Sequence, residues 1–432
     1  MQHDNKKAIF SWAMYDWANS AFITTVTAAF FPILFNKFWS VGTDTTLTTA
    51  RLGLANSAAG IVVALLAPIM GAIADKGASR KKFLLFFAYM GVVMASALFL
   101  VAEGNWAMAV LLYVLASIGF SGGNIFYDSL LTGVASEKKL DFVSSLGYAM
   151  GYLGGGLLFA VNVWMTIKPA MFGFADSGEA ARFSCLTVGI WWGLFSIPIF
   201  LFVGEPQIER KQRGFGLVRA GFTELKKTFR EIRHLKTIFM FLAAYWLYID
   251  GVNTIVRMAI DYGISIGFDT NNLILALLIT QFVGFPSALA FGYFGPKFGA
   301  KRSIFFCIAV YLFISIWGAF MHNQYEFYIL AIVIGLVQGG IQALSRSFYA
   351  KIIPINKSAE YFGFYNLLGK FAVVIGPLLI GSFGVLIKSM GYSSDTASRI
   401  SITSISLLFI SGAILLFFVN EQEAKEKAKL LI

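Results

Sequence analysis

The sequence predicts an all-α integral membrane protein with about twelve transmembrane helices in two pseudo-symmetric six-helix bundles. Three observations lead to this fold class. The 432 residues are 58% hydrophobic and 13% charged, which is about half the charged fraction of a soluble protein. The apolar residues fall in runs long enough to cross a bilayer, about 20 residues each. Finally, several polar motifs occur twice, once in each half of the chain.

Hydropathy places six helices in each half of the chain. The first six cover residues 8–38, 52–75, 83–102, 105–134, 143–167 and 181–203. The next six cover residues 237–265, 271–295, 303–321, 325–351, 362–388 and 396–420. The predicted domains are an N-terminal bundle at 1–203, a basic linker at 204–236, a C-terminal bundle at 237–420 and a tail at 421–432. Within the linker, the apolar positions between 222 and 232 fit a short helix lying on the membrane surface.

The positive charge is distributed unevenly among the loops. Most of the 34 Lys and Arg residues lie in one of the two alternating sets of loops, which predicts that both termini and the linker are cytoplasmic. The expected location is the inner membrane of a bacterium. This distribution explains the net charge of +11 without a nucleic-acid partner. The cysteines, Cys185 and Cys307, lie in separate apolar segments, and the three histidines show no metal-ligand spacing, so neither a disulfide nor a metal site is expected.

Three polar residues share one face of the first helix and recur in the seventh. Trp12, Asp16 and Asn19 are spaced i, i+4 and i+7, which places them on one side of a helix. The same spacing returns at 246, 250 and 253 as Trp, Asp and Asn. Because a carboxylate inside a membrane helix is costly, two of them in matching positions indicate a functional role.

Two further motifs repeat in the same order. The second helix ends with the glycine-containing segment 71–76, and the eighth ends with the related segment 292–297, each followed by basic residues. Pro296 stands where the first copy has Asp75. A double glycine at 122–123 in the fourth helix is matched by one at 339–340 in the tenth. One known transporter architecture consists of two six-helix halves that repeat in the same orientation.

These motifs resemble a known family. The segment 71–82 is similar to the signature loop between helices two and three of the major facilitator superfamily. The stretch 15–22, Tyr-Asp-Trp-Ala-Asn-Ser-Ala-Phe, resembles the hallmark of its vacuole-effluxer-like branch, related to the autophagy protein that exports amino acids from the fungal vacuole. Other stretches that resemble this branch are 124–129, 151–155, 250–254, 338–346, 362–365 and 376–377. The resemblance implies the major facilitator fold and secondary transport by alternating access, with amino-acid efflux as the best substrate hypothesis.

Asp16 and Asp250 have two interpretations. In the first, a buried carboxylate that binds and releases a proton couples transport to a proton gradient. In the second, each aspartate stays ionised, pairs with Arg346 or Lys370, or caps a break in a helix. The sequence leaves both interpretations open.

Five charged residues are predicted to act as gates. Asp128 and Arg346 follow their double glycines by five or six residues, so they are expected to bridge the two halves when the cavity closes to the cytoplasm. The alternative is that each pairs locally or reaches the headgroups. By family resemblance, Asp75 forms a gate contact with Arg80 or Lys81. The basic residues at 80–82 also serve as a topology signal attracted to anionic lipid.

Polar side chains within apolar segments are expected to face the protein interior, because unpaired polar groups are costly in lipid. The predicted substrate and coupling cavity consists of Tyr15, Asp16, Asn19, Asn124, Tyr127, Trp246, Asp250, Asn253, Arg257, Gln338, Gln342, Asn366 and Lys370. Arg257 or Lys370 would bind a substrate carboxylate, and the Asn and Gln side chains would bind the amine. Trp12 and Trp246 would stack on an apolar part of the substrate or on its ammonium group.

Other classes of function were weighed against transport. An intramembrane aspartyl protease would pair Asp16 with Asp250, but the Gly-x-Gly-Asp motif of that class is missing around Asp250. A membrane sensor on a transporter fold is the second alternative. No nucleotide-binding motif is present in the sequence, so ATP-driven transport is not expected. The prediction includes neither a cofactor nor enzymatic activity. The expected partners are a small-molecule substrate such as an amino acid, protons and the lipid bilayer, with the protein acting as a monomer.

Overall fold

The computed structural model describes residues 3–43, 45–77, 79–205, 223, 226, 230, 236–265, 270–372 and 375–429. The predicted linker, 204–236, falls almost wholly outside the described residues, and so does the surface helix predicted between 222 and 232.

Every element in these described ranges is a helix. The helix α1 covers Lys6–Trp39 and includes two π-helical stretches at Phe22–Phe30 and Phe35–Trp39. The others are α2 Thr45–Gly77, α3 Arg80–Leu100, α4 Trp106–Val134, α5 Leu140–Ile167, α6 Ser177–Phe202, α7 Lys236–Ser265, α8 Thr270–Phe298, α9 Ala300–Phe320, α10 Gln324–Ile352, α11 Ser358–Phe371, α12 Ile375–Ser389, α13 Ser394–Thr403, α14 Ser406–Phe417 and α15 Glu421–Lys429.

The membrane-spanning character of these helices agrees with the prediction. Eleven spans in the described part of the chain are long and apolar enough to cross a bilayer, and α13 and α14 together form one of them. The shorter apolar helix α12 follows α11 directly in the chain. Counting α11 and α12 as one crossing gives the twelve that were predicted, and the all-α membrane fold class is confirmed.

The eleventh crossing differs from its prediction, which was one helix over 362–388. The structure has α11 ending at Phe371 and α12 beginning at Ile375. Pro377 favours a break here, because a proline lacks the N–H for the ladder and its ring clashes with the preceding turn, although α2, α6 and α8 each continue through an internal proline. At the start of α12 the same proline occupies the first turn, where its missing N–H has no intrahelical partner to lose.

The chain divides into two compact units that do not follow the two halves of the sequence strictly. The first unit comprises Met1–Ser136, Met150–Phe222 and Ser358–Asn366. The second comprises Glu137–Ala149, Thr223–Lys357 and Leu367–Ile432. Each unit therefore includes one short helix end from the opposite half of the sequence: the start of α11 in the first unit, and the start of α5 in the second.

Helix pairing within the second unit follows the order seen in the first. In the first unit α3 packs along α4, and α1 along α6. In the second unit α9 packs along α10, and α7 along α14. The double glycines allow close packing in both units, since a Cβ at Gly122 would overlap the ring of Phe87 on α3, and one at Gly340 the ring of Phe291 on α8.

Two lysines cap helix ends at equivalent positions of the repeat. Lys81 Nζ donates to the carbonyl oxygens of Phe200 and Val203, both at 2.7 Å, where α6 ends. Lys301 Nζ donates to the carbonyl oxygens of Phe417 and Val419, at 2.9 and 2.8 Å, where α14 ends. A cation at a helix C-terminus satisfies carbonyl groups that have no intrahelical partner. Both lysines are therefore engaged in holding helix ends.

Candidate functional site

In the first unit, Asp16 lies in a buried aromatic cluster. The Tyr127 hydroxyl donates a hydrogen bond of 2.7 Å to Asp16 Oδ2. The Tyr127 ring stacks on Trp12 with centroids 4.4 Å apart, and Trp12 Nε1 donates to the Tyr127 carbonyl oxygen at 3.0 Å. Tyr15 completes the cluster with its ring 4.9 Å from that of Tyr127. The structure therefore brings together one carboxylate and three aromatic rings, all predicted from the sequence.

Asn19 and Asn124 form a second polar contact on the same two helices. Asn19 Nδ2 donates to Asn124 Oδ1 at 2.7 Å, which joins α1 to α4. Gly123, beside Asn124, makes room for the buried Tyr15 hydroxyl, because a Cβ there would approach that oxygen to 2.6 Å. The predicted cavity residues of the first half thus lie along one α1–α4 contact.

Asp250 in the second unit has a different environment from Asp16. Its carboxylate accepts hydrogen bonds of 3.0 Å from the backbone N–H groups of Ile375 and Gly376, the first two residues of α12. The Thr254 hydroxyl donates to the same carboxylate at 3.1 Å. The first N–H groups of a helix have no intrahelical partner and carry partial positive charge. Asp250 is fully buried and acts as the N-terminal cap of the second half of a broken helix.

Asn253 holds the other side of the same break. Its Nδ2 donates at 3.0 Å to the carbonyl oxygen of Ala372, the residue that follows α11. Gly376 permits the close approach of α7, because a Cβ there would overlap the Thr254 side chain. Asp250 and Asn253, which were predicted to share one face of α7, therefore bind both sides of the break. Asp250 binds the start of α12, and Asn253 binds the residue after α11.

The repeat explains why the two aspartates differ. Gly151 of α5 packs on Asp16, and a Cβ there would lie 3.5 Å from the Asp16 Cβ. Gly376 of α12 is in the corresponding contact with Asp250. However, α5 is continuous through this contact, whereas the second-half crossing is broken there. Asp250 therefore meets free backbone N–H groups, while Asp16 accepts from a tyrosine hydroxyl.

Asp75 binds the start of α11, which belongs to the same unit. Asp75 pairs with Arg80 through Nε at 2.8 Å and Nη2 at 2.7 Å. Its carboxylate also accepts from the backbone N–H groups of Ala359 at 3.2 Å and Glu360 at 2.8 Å. Both side chains of the pair are buried. Of the two basic residues expected beside Asp75, Arg80 makes the contact and Lys81 caps α6.

Glycines allow α11 to pack closely on α2. A further hydrogen bond joins α11 to α4. A Cβ at Gly71 would overlap the backbone of Ala359, and one at Gly363 would overlap the backbone of Ala67. Asn366 Nδ2 donates at 3.2 Å to Asp128 Oδ2. The first two turns of α11 are thus bound to α2 and α4, and the predicted gate residue Asp128 is part of that contact.

Arg346 lies in the second unit, at the contact between α10 and the start of α5. Its Nε donates to Ser144 Oγ at 2.9 Å, and Nη2 to the Ser144 carbonyl oxygen at 2.8 Å. The guanidinium carbon lies 4.3 Å from the centroid of the Tyr148 ring. Arg346 and Asp128 therefore belong to different units, and each binds a helix end that comes from the opposite half of the sequence.

A buried ion pair at this second contact was missed in the sequence. Lys351 Nζ and Ser347 Oγ both donate to the Asp141 carboxylate, each at 2.6 Å. Asp141 lies in the first turn of α5, two residues before the helix start predicted at 143. The position of Asp141 at the edge of a predicted helix was a weak signal of a structural role. The local sequence, however, does not indicate a partner some two hundred positions away.

The remaining predicted cavity residues belong to the second unit. Trp246 and Gln342 are half-buried on α7 and α10. The side chains of Arg257 and Lys370 lie outside the described part of the structure, so their predicted role in binding a carboxylate stays a prediction.

Gln338 lines an apolar cavity of about 60 Å³ inside the second unit. Gln338 Oε1 is buried and has no hydrogen-bond partner among the described residues. The described residues that line the cavity include no charged side chain. A charged amino acid would lose its hydration there without compensation, so this cavity is unsuited to such a ligand.

The fold, the internal repeat and the two polar helix-end contacts define a membrane transporter of the major facilitator type. Among solved structures, the chain is similar to the human organic anion transporter MFSD10 (TETRAN), with a TM-score of 0.74 and 15% identity over 96% of this chain and 100% of that one. It is also similar to the proton:xylose symporter XylE bound to 6-bromo-6-deoxy-D-glucose, with a TM-score of 0.72 and 14% identity over 99% of each chain. At this identity these likenesses establish the fold.

The chain belongs to the family described as vacuole effluxer Atg22 like, which it matches over residues 4–141 and 134–429. It is 36% identical over 418 residues to an uncharacterized MFS-type transporter, YxiO, of Bacillus subtilis (strain 168), covering 96% of this chain and 95% of the relative. It is 22% identical to autophagy-related protein 22 of Eremothecium gossypii, covering 86% and 84%. The predicted family is confirmed. Because family and fold are those of transporters, the protein is not an enzyme, and the aspartyl protease alternative is excluded.

Proposed function

We propose that this transporter moves a small metabolite across the bacterial inner membrane by alternating access, with an amino acid exported from the cytoplasm as the favoured substrate. In this proposal the protein works as a monomer with both termini cytoplasmic. The observation that carries it is the exchange of helix ends between the two halves of the sequence. The start of α11 is held by Asp75 in the first unit, and the start of α5 is held by Lys351 in the second.

The helix ends that bind the opposite half of the sequence are suited to act as gates in alternating access. Alternating access requires contacts between the halves that form in one state and break in the other. The exchanged ends are held chiefly by hydrogen bonds, charges and close glycine contacts. Polar contacts of this kind can be replaced by water when a vestibule opens. Both ends lie on the side of the membrane where the sequence places the basic loops, so both gates would close the cytoplasmic face.

The buried cluster of the first unit supports the choice of substrate. Asp16 offers a carboxylate to an ammonium group, and Trp12 and Tyr127 lie beside it as a stacked aromatic pair. The amides of Asn19 and Asn124 supply further donors and acceptors. The description of the family as vacuole effluxers supports transport of a stored metabolite across a membrane.

Asp16 is the better candidate for proton coupling of the two repeated aspartates. Asp250 accepts from two backbone N–H groups and one hydroxyl, and a proton on its carboxylate would displace at least one of these donors. In contrast, the hydroxyl of Tyr127 can reverse its role and accept from a protonated Asp16. Proton exchange at Asp16 therefore leaves the local packing intact.

The proposal is tested by counterflow in proteoliposomes. Liposomes containing the purified protein and loaded with a mixture of unlabelled amino acids should accumulate at least one labelled amino acid, whereas vesicles without protein should not. Export should respond to an imposed pH gradient. If no amino acid exchanges, the substrate assignment is wrong. If no metabolite from a wider panel exchanges either, the sensor alternative is favoured.

Asp16→Asn is expected to abolish the response to the pH gradient, while counterflow, which needs no net proton movement, continues with a raised KM because the substrate ammonium group loses its charged partner. The physical reason is that Asn keeps the hydrogen bond to Tyr127 but cannot carry a proton. The melting temperature should stay within a few degrees of wild type, because the volume of the side chain is unchanged. Gradient-driven transport that persists in Asp16→Asn would show that the coupling proton is carried elsewhere.

A further inference from the structure

An open groove of about 480 Å³ runs between the adjoining ends of α8 and α9 in the second unit. Phe291, Phe294 and Phe298 of α8 and Phe306 of α9 line it, and Arg302 is its charged residue. Three of these rings, Phe294, Phe298 and Phe306, are at least half exposed. Since α8 and α9 are membrane-spanning helices, the groove opens toward lipid.

The position of Arg302 along the helix sets its depth. It lies in the first turn of α9, two residues after Ala300, and α8 ends at Phe298. Arg302 therefore lies where the spans leave the hydrocarbon, at the level of the lipid headgroups. From Phe298 the groove reaches back seven residues to Phe291, which is about 10 Å along a helix. One end of the groove is thus charged and interfacial, and the other is aromatic and lies within the hydrocarbon.

Arg302 has no acidic residue near it in the sequence around the groove. The sequence from 271 to 325 contains no Asp or Glu. Lys301 binds the carbonyl oxygens at the end of α14, with Glu421 nearby. Lys297 lies over the Tyr293 ring, 4.3 Å from its centroid. Within the described residues Arg302 makes neither a hydrogen bond nor an ion pair, and its side chain is exposed.

We propose that this groove binds one anionic phospholipid, with an acyl chain against the phenylalanines and the phosphate on the Arg302 guanidinium. A guanidinium matches two phosphate oxygens with parallel hydrogen bonds. Lys297 Nζ lies 5.4 Å from the centroid of the Phe294 ring and adds a second positive charge near the groove, and basic residues at this level attract anionic headgroups. The site is separate from the proposed transport pathway. It lies at the end of α8, where Pro296 stands at the position equivalent to the gate residue Asp75 of α2.

The test is native mass spectrometry of the full-length protein released from a neutral detergent. With phosphatidylglycerol added, wild type should retain one lipid molecule, and about tenfold less phosphatidylcholine at equal concentration. Arg302→Gln should lower phosphatidylglycerol retention about tenfold, the effect of losing roughly one charge-assisted hydrogen bond. Lys82→Gln is the matched control, because Lys82 is an exposed cation at the corresponding position of the first repeat. It should retain phosphatidylglycerol like wild type.

A second variant tests the groove apart from the charge. Ala290→Trp fills the apolar end while Arg302 is kept, and it should also lose lipid retention. Inorganic phosphate at millimolar concentration should not compete, since it has no acyl chain. Equal losses in Arg302→Gln and Lys82→Gln would reduce the effect to general attraction between a basic surface and anionic lipid, and would overturn the proposal. Unchanged retention in Ala290→Trp would overturn the role of the groove.

Discussion

Asp75→Ala is expected to destabilise the protein by about 3–5 kcal/mol, one of the two largest effects among single substitutions at the site. The substitution leaves the Arg80 guanidinium buried at 2% exposure without its carboxylate. It also leaves the N–H groups of Ala359 and Glu360 without the acceptor that now binds them. Because those N–H groups begin α11, the loss should release the start of α11 from the first unit.

A double-mutant cycle with Arg80→Ala checks this account. If the cost of Asp75→Ala comes mainly from a stranded charge, the double variant Asp75→Ala/Arg80→Ala should be more stable than Asp75→Ala alone. Melting temperatures of the four proteins, measured in one detergent, supply the cycle. Additive effects of the two substitutions would mean that Asp75 and Arg80 act independently, against the geometry of the pair. Lys81→Ala is a useful comparison, since it removes a neighbouring cation that caps α6 and leaves the pair intact.

Asp250→Ala is expected to be comparably destabilising, by about 3–5 kcal/mol, for a different reason. It removes the acceptor of two backbone N–H groups at the start of α12 and of the Thr254 hydroxyl, and an unsatisfied buried donor costs about 1–3 kcal/mol. Asp250→Asn should cost less, because its amide oxygen can still accept one of these bonds. The order of stability should therefore be wild type, then Asp250→Asn, then Asp250→Ala.

The same series separates a structural role for Asp250 from a coupling role. Transport by Asp250→Asn, measured per folded protein, should still respond to a pH gradient, while Asp16→Asn should not. Asn253→Ala serves as the control on the same helix face, since it removes a single bond to the Ala372 carbonyl oxygen and should be milder than Asp250→Ala. If Asp250→Ala were as stable as wild type, the carboxylate would not be holding α12.

The sequence predicted those features that depend on composition and local spacing. The apolar runs located the membrane spans, and the repeated spacing of Trp, Asp and Asn identified matching faces on α1 and α7. Spacing alone could not show that the two faces act differently. The capping of a helix break by Asp250 was one of two open alternatives. The decision depended on where the eleventh crossing is interrupted, which becomes evident only when Asp250, Asn253 and Pro377 are seen together.

Contacts between distant segments were harder to predict. The Asp141–Lys351 pair joins helix ends more than two hundred residues apart, and a single sequence holds no signal for such a pairing. Asp128 and Arg346 were expected to bridge the two halves to each other. In the structure Asp128 binds Asn366, and Arg346 binds Ser144. Both residues thus contact a helix end from the opposite half, and the bridge between Asp128 and Arg346 stays a prediction.

The central claim is that the exchanged helix ends separate from their partners during transport. Spin labels at Lys138→Cys and Asn356→Cys report on the second of these contacts, because both residues are exposed and belong to the second unit. The buried Cys185 and Cys307 would first be replaced by alanine. Double electron–electron resonance in nanodiscs should then show a short distance together with a longer one, and Asp141→Asn should increase the population at the longer distance. A single short distance, unchanged by Asp141→Asn, would contradict the claim that this contact is a gate.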